Sequence, residues 1–146
     1  MNPLELEFTV DCPPGLAFDI WAREISRWWP KDHTVSAHPA LSVIIEPRDG
    51  GRIFERTPAG DEHDWGEVVV WEPPHRLIYL WHIASDRSDA TEVEVTFSGA
   101  EDTTRVRIVH RGWERLGTRG PELRERNRHG WGGLLPHYRE ACARPA

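Results

Sequence analysis

The sequence predicts an α+β domain in which a seven-stranded antiparallel sheet wraps around one long C-terminal helix, with short helices near the N-terminus. Three observations predict it. Apolar and polar residues alternate in one segment after another between Leu4 and Arg111. The links between these segments are short and rich in Gly, Pro and Asp, as in hairpins. Helical spacing is confined to a stretch ending at Pro30 and another beginning at Pro121. Helices set apart from hairpin-linked strands define an antiparallel α+β arrangement, not an alternating α/β one.

Taken in order, "LELEFTV" places Leu4, Leu6, Phe8 and Val10 on one face and Glu5, Glu7 and Thr9 on the other, a half-buried strand. "DCPPG" opens a helix, because a proline in the first turn gives up an N–H that would have no partner there. Ala17, Ile20, Trp21, Ile25 and Trp28 follow at helical spacing, with a break, until Pro30. "ALSVIIEP" and "RIFER" flank the turn "RDGG". "WGEVVVWE" and "RLIYLWHI" flank "PPH". "TEVEVTF" and "RVRIVHRG" are the last two strands, joined by "SGAEDTT". In the fourth strand both Trp65 with Trp71 and Val68 with Val70 are apolar, and a bulge near Trp71 would reconcile the two faces. The terminal helix runs from Pro121 to about Cys142 with a stripe of Leu123, Asn127, Trp131 or Gly130, Leu134, Tyr138 and Cys142. Gly130, Gly132, Gly133 and Pro136 predict a kink or break near 132–136, since glycine weakens a helix and proline removes one of its hydrogen bonds.

The 146 residues correspond to one domain spanning 1–146, large enough to bury a core. A net charge of −6 argues against a nucleic-acid partner. The arginines crowded between Arg111 and Arg128 are interleaved with Glu114, Glu122 and Glu125, as on a solvated helix face. Lys31 is the lone lysine, a bias expected of a GC-rich bacterial genome. Cys12 and Cys142 form no CxxC and are expected to be reduced thiols in a cytoplasmic protein. No stretch reads as a secretory signal or a membrane span.

The phrases "FDIWAREISRWWP", "GGRIFER", "WGEVVVWEPPHRLIYLW", "TEVEVTF", "TRVRIVHRGWE" and "GWGGLLPHY" occur in an order that resembles the SRPBCC superfamily, the START-like helix-grip proteins. Within it the chain is similar to bacterial relatives of the activator of heat-shock-protein-90 ATPase, from about Leu4 to Tyr138. The resemblance implies a helix-grip fold with an internal apolar cavity. It implies function only loosely, because the superfamily spans lipid carriers, hormone receptors, aromatic-polyketide cyclases, ring-hydroxylase subunits and co-chaperones.

No nucleophile elbow, Cys–His signature, phosphate loop or HExxH is present, and the eight histidines show no metal-ligand spacing, so neither cofactor nor metal is expected. Glu55 shares a strand face with Ile53, and His110 with Val106 and Ile108. Both are expected to point inward, as polar handles in an apolar pocket or as buried groups held by backbone partners. Tyr79 and Trp81 share a face, Trp113 caps the last strand, and Trp131 sits among glycines of the terminal helix. The expected ligand-binding set is Trp29, Glu55, Val68, Tyr79, Trp81, His110, Trp113, Trp131 and Leu135, the alternative being that the aromatic rings simply fill the core. Trp28 continues the helical stripe and is expected in the core. Trp29 lies about 100° off that stripe and is expected at the pocket mouth, or else over the loop that follows. The sequence favours a binding protein for a small hydrophobic molecule, at most paired with a second copy of itself. An enzyme of the cyclase or hydrolase kind using Glu55 and His110, or a co-chaperone-like module, is the competing reading.

Overall fold

A computed structural model of the chain describes residues 1–144. Its elements are β1 (Leu4–Val10), α1 (Pro14–Trp21), α2 (Ile25–Trp28), β2 (Ser42–Ile45), β3 (Arg52–Arg56), β4 (Glu62–Glu72), β5 (Arg76–Trp81), β6 (Thr91–Ala100), β7 (Thr103–Arg111) and α3 (Gly120–Ala143). The strands form one antiparallel sheet in the order β1-β7-β6-β5-β4-β3-β2. The first strand closes against the last, and every other neighbour is joined by a local connection. The inner face is continuous across the sheet: Leu6 is opposite Ile108, Ile108 opposite Val95, and Val95 opposite Leu77.

The ambiguous fourth strand is resolved by two irregularities. Ile53 pairs with Gly66 and Phe54 with Asp64, which leaves Trp65 without an opposite number. Further along, Val68 pairs with Tyr79 and Val70 with Ile78, which leaves out Val69. Each extra residue reverses the alternation of faces. Trp65 and Val68 are therefore both buried despite their opposite parity, while Val69 is exposed. Gly66 sits between them where no side chain fits, since a Cβ there would lie 1.9 Å from the Leu80 carbonyl oxygen.

The C-terminal helix is continuous from Gly120 to Ala143, in contrast to the kink or break expected near 132–136. Gly132 and Pro136 are both exposed. The hydrogen bond lost at Pro136 would have run to Gly132, so the unpaired carbonyl lies on the solvent side, open to water. The large buried side chains of this helix, Trp131, Leu134, Leu135, Tyr138 and Cys142, run from its midpoint to its C-terminal end. Tyr138 donates its hydroxyl to the Ala17 carbonyl at 2.8 Å and ties the helix to α1. Cys12 and Cys142, far apart in sequence, are buried side by side as free thiols, and burial pushes the Cys142 thiol up to about 12.

Aromatic rings form the centre of the core. Trp21 contacts Tyr138 at 4.9 Å, Trp28 at 5.5 Å and Trp131 at 6.0 Å between centroids. Trp28 donates its indole N–H to the Ile20 carbonyl at 2.8 Å. Trp29 is equally buried, at 5% exposure each, which corrects the expectation that only Trp28 is a core residue. The reason lies in the backbone. The helix ends at Trp28, and Trp29 has extended dihedrals (φ −70°, ψ 123°), so the helical wheel no longer decides its direction. Trp29 packs on Trp28 at 5.5 Å, on Trp65 at 5.1 Å and on Trp81 at 5.6 Å. Its indole N–H donates to the His33 carbonyl at 2.9 Å, so it also pins the loop that follows. Trp28→Ala and Trp29→Ala are each expected to lower stability by about 3–5 kcal/mol, the scale of a large aromatic truncated in a core. Urea denaturation of the two variants side by side checks this, and a Trp29→Ala loss below about 1 kcal/mol would place that ring outside the core.

Candidate ligand cavity

The large buried side chains of α3 begin at Trp131, and a cavity of about 360 Å³ lies along the helix from Leu123 to Leu134. Trp81, at the end of β5, forms part of the wall together with the loop His82–Asp89 and Thr91 at the start of β6. Gly112 then turns the chain after β7 with φ +99°, a backbone angle suited to glycine. That turn brings Trp113 and Leu116, in a 3-10 segment (Trp113–Arg119), against the cavity. Leu123, Arg126, Asn127, Gly130, Trp131 and Leu134 of α3 line it at helical spacing, and Trp29, His33 and Thr34 close it on the remaining side. Four tryptophans from four separate elements thus share one space: Trp29 after α2, Trp81 from β5, Trp113 after β7 and Trp131 from α3. Arg119, Arg126, Asn127 and Asp89 add polar groups, with Arg119 lying 3.7 Å from Asp89.

His110 does not reach this space. It is fully buried on β7, one layer behind the wall. The Trp131 indole N–H, which can only donate, points at His110 Nδ1 at 3.1 Å. The ring proton is therefore on Nε2, which donates to Thr91 Oγ1 at 2.7 Å. The Thr91 hydroxyl in turn faces the Trp81 carbonyl at 3.4 Å. The Trp113 indole N–H donates to the His110 carbonyl at 2.9 Å, and the two rings lie 4.3 Å apart. His110 thus orients three wall residues, Trp131 and Thr91 through its imidazole and Trp113 through its carbonyl. Burial disfavours its charged form and pulls its pKa down to about 3.

Glu55 is also fully buried without opening into the cavity. Its carboxylate accepts hydrogen bonds from the backbone N–H of Val35 at 2.6 Å and of Ser36 at 2.9 Å, and from the Trp65 indole at 2.9 Å. Burial alone would raise its pKa, but the hydrogen bonds from Ser36, Val35 and Trp65 outweigh burial and hold it below the usual carboxylate value. Its position makes it the anchor of the loop after α2, whose His33 and Thr34 form one side of the cavity.

Of the residues singled out in the sequence, Trp29, Trp81, Trp113 and Trp131 line the cavity. Glu55, Val68, Tyr79, His110 and Leu135 are buried behind it, which corrects the expectation that Glu55 and His110 open into the same space. Both were correctly expected to face inward, but every polar side-chain atom of each is engaged by the protein. The sequence reading missed the loop residues 82–89 and the pair Arg119 and Arg126. For Arg126 the signal was present: it lies one turn from Leu123 and adjoins Asn127 on the apolar stripe. The loop residues carried no periodic signal.

A sheet gripping one long helix, with a cavity under that helix, defines the helix-grip class. Residues 11–137 match the family described as "Activator of Hsp90 ATPase homolog 1-like protein", and the chain belongs to that family. No curated protein sequence matches it. Among solved structures it is similar to CalC from Micromonospora echinospora, a self-sacrificing resistance protein, at 24% identity over 97% of this chain and 94% of that one, with a TM-score of 0.73. It is also similar to protein MLL2253 from Mesorhizobium loti, at 17% identity over 99% and 98% of the two chains, with a TM-score of 0.72. An anthrahydroquino-γ-pyrone synthase, Txn09, matches at 27% identity over 84% of each chain, with a TM-score of 0.58.

Two acid-side effects follow. His110 is neutral in the fold and protonates near pH 6.5 when unfolded, so the unfolded chain binds the extra proton as pH falls from about 6.5 toward 3. Stability should decline through that window in the native protein, and the decline should be shallower in His110→Gln, as urea midpoints at successive pH values would show. Glu55 has a lowered pKa, so its contribution is present above about 4.5 and is lost below it. Glu55→Gln should flatten that lower part of the curve and lower stability at pH 7 by about 1–3 kcal/mol, the scale for disrupting hydrogen bonds to a buried carboxylate. Hydrogen exchange at Val35 and Ser36 should quicken in the same variant, and unchanged protection there would show that the loop is held by other contacts.

Proposed function

We propose that this chain is a small-molecule binding protein that takes a flat aromatic molecule into the cavity between the sheet and the first half of α3. The observation that carries this reading is the convergence of four indoles, with Leu116, Leu123 and Leu134, on one space. Its volume of about 360 Å³ lies within the usual range of small-molecule sites. Indole faces favour stacked and edge-on contact with other rings, which selects a planar guest. The similar synthase, whose name denotes a fused aromatic product, supports the same ligand class.

The acid–base reading has less support. Glu55 and His110 are both saturated by hydrogen bonds from the protein, and a catalytic pair must reach a substrate. The protein-docking reading lacks a surface: among the described residues the exposed large apolar side chains are Met1, Val35 and Val69, which share no secondary-structure element and suggest no contiguous patch.

N-phenyl-1-naphthylamine, an uncharged aromatic dye, tests the proposal. Saturable binding with quenching of the protein's indole emission is expected. Trp81→Ala should weaken it by about fivefold or more, the effect of removing an aromatic contact that contributes over 1 kcal/mol. Absence of saturable binding, or a Trp81→Ala variant that binds as well as the native protein, would overturn it.

A further inference from the structure

The arginines divide into two unequal groups. Every arginine but one engages a carboxylate, a backbone carbonyl or an aromatic ring. Arg115 donates to the Ala90 carbonyl, Arg124 to those of Asn2 and Pro3, and Arg139 lies over the Phe8 ring. Among the described residues the exception is Arg126, and Arg126 lines the aromatic cavity. It sits on α3 one turn after Leu123 and next to Asn127, so the helix that forms the apolar wall also carries the cation.

We propose, resting on the cavity reading above, that the ligand is an aromatic anion, held by its rings against the indoles and by a carboxylate or comparable acidic group at Arg126. A guanidinium presents several N–H donors in a planar fork that matches two oxygens of one anionic group. Arg119 lies on the same cavity wall but is partly neutralised by Asp89 at 3.7 Å, which leaves Arg126 as the free charge. The Asn127 side chain donates one amide N–H to the Leu123 carbonyl at 2.9 Å; its second N–H is uncharged and binds an anion more weakly than a guanidinium does. The protein as a whole carries a net charge of −6, which repels anions. An anion preference would therefore come from this position and not from the general field.

Two dyes with one ring system separate the terms: 8-anilinonaphthalene-1-sulfonate carries an anionic group, and N-phenyl-1-naphthylamine is the same skeleton without it. Arg126→Gln should raise the dissociation constant of the sulfonate about tenfold, as expected for one charge-assisted hydrogen-bonding group, and should change that of the neutral dye less than about twofold. Arg128→Gln removes the same charge from the same helix, where Arg128 pairs with Glu125 away from the cavity, and should leave both constants unchanged. The proposal is overturned if Arg126→Gln weakens both dyes alike, or if Arg128→Gln has the same effect as Arg126→Gln. It is also overturned, with the cavity reading intact, if only the neutral dye binds the native protein. Failure of the neutral dye to bind the native protein removes the cavity reading and this one with it.

Discussion

The arrangement of this protein depends on one buried relay, from the Trp131 indole through the His110 imidazole to the Thr91 hydroxyl. An indole can only donate, and a neutral imidazole must donate from one nitrogen and accept at the other. Trp131 and Thr91 satisfy both requirements at once and leave the ring no unpaired polar atom. The relay also ties three parts of the fold that are distant in sequence. It sets α3 against β7, β7 against the start of β6, and through the His110 carbonyl it places Trp113. Replacing any member would leave a buried donor or acceptor without a partner, which is costlier than the net gain of the bond itself.

Glu55 plays the corresponding part on the other side of the cavity. It is a buried carboxylate, but one surrounded by donors: two consecutive backbone N–H groups of a loop and an indole. The loop after α2 has no regular structure beyond one short 3-10 turn (Lys31–His33), so most of its backbone groups must find partners elsewhere. Glu55 supplies two of them, and Trp29 supplies another through the His33 carbonyl. Both polar residues that looked chemically active in the sequence are thus positioning groups. They hold the wall in place and do not form its surface.

The cavity itself follows from where the large side chains of α3 lie. Trp131, Leu134, Leu135, Tyr138 and Cys142 fill the interior from the middle of the helix to its end, while Leu123, Asn127 and Gly130, earlier on the same helix, line the cavity. The 3-10 segment after Gly112 and the loop 82–89 contribute further walls. The space they share is the one available to a guest, and Arg126 lines it as well.

Much of this was determined by the sequence alone. Alternation indicates which residues of β1, β3, β6 and β7 face inward, because a strand has a period of two and one buried face. It therefore placed Glu55 and His110 in the interior. Helical spacing likewise identified the stripe of α3. The tertiary structure decided the rest. Alternation fails in β4, where the extra residue Trp65 reverses the faces so that Trp65 and Val68 are buried together, and a second at Val69 reverses them again. Helical spacing fails at Trp29, where the chain has already left the helix. The sequence could not say whether Glu55 and His110 face a cavity or a partner, since a strand pattern specifies a side and not the depth or the neighbour. That depended on contacts between residues such as Glu55 with Val35 and His110 with Trp131, whose meeting is set by packing of the whole sheet against the helix.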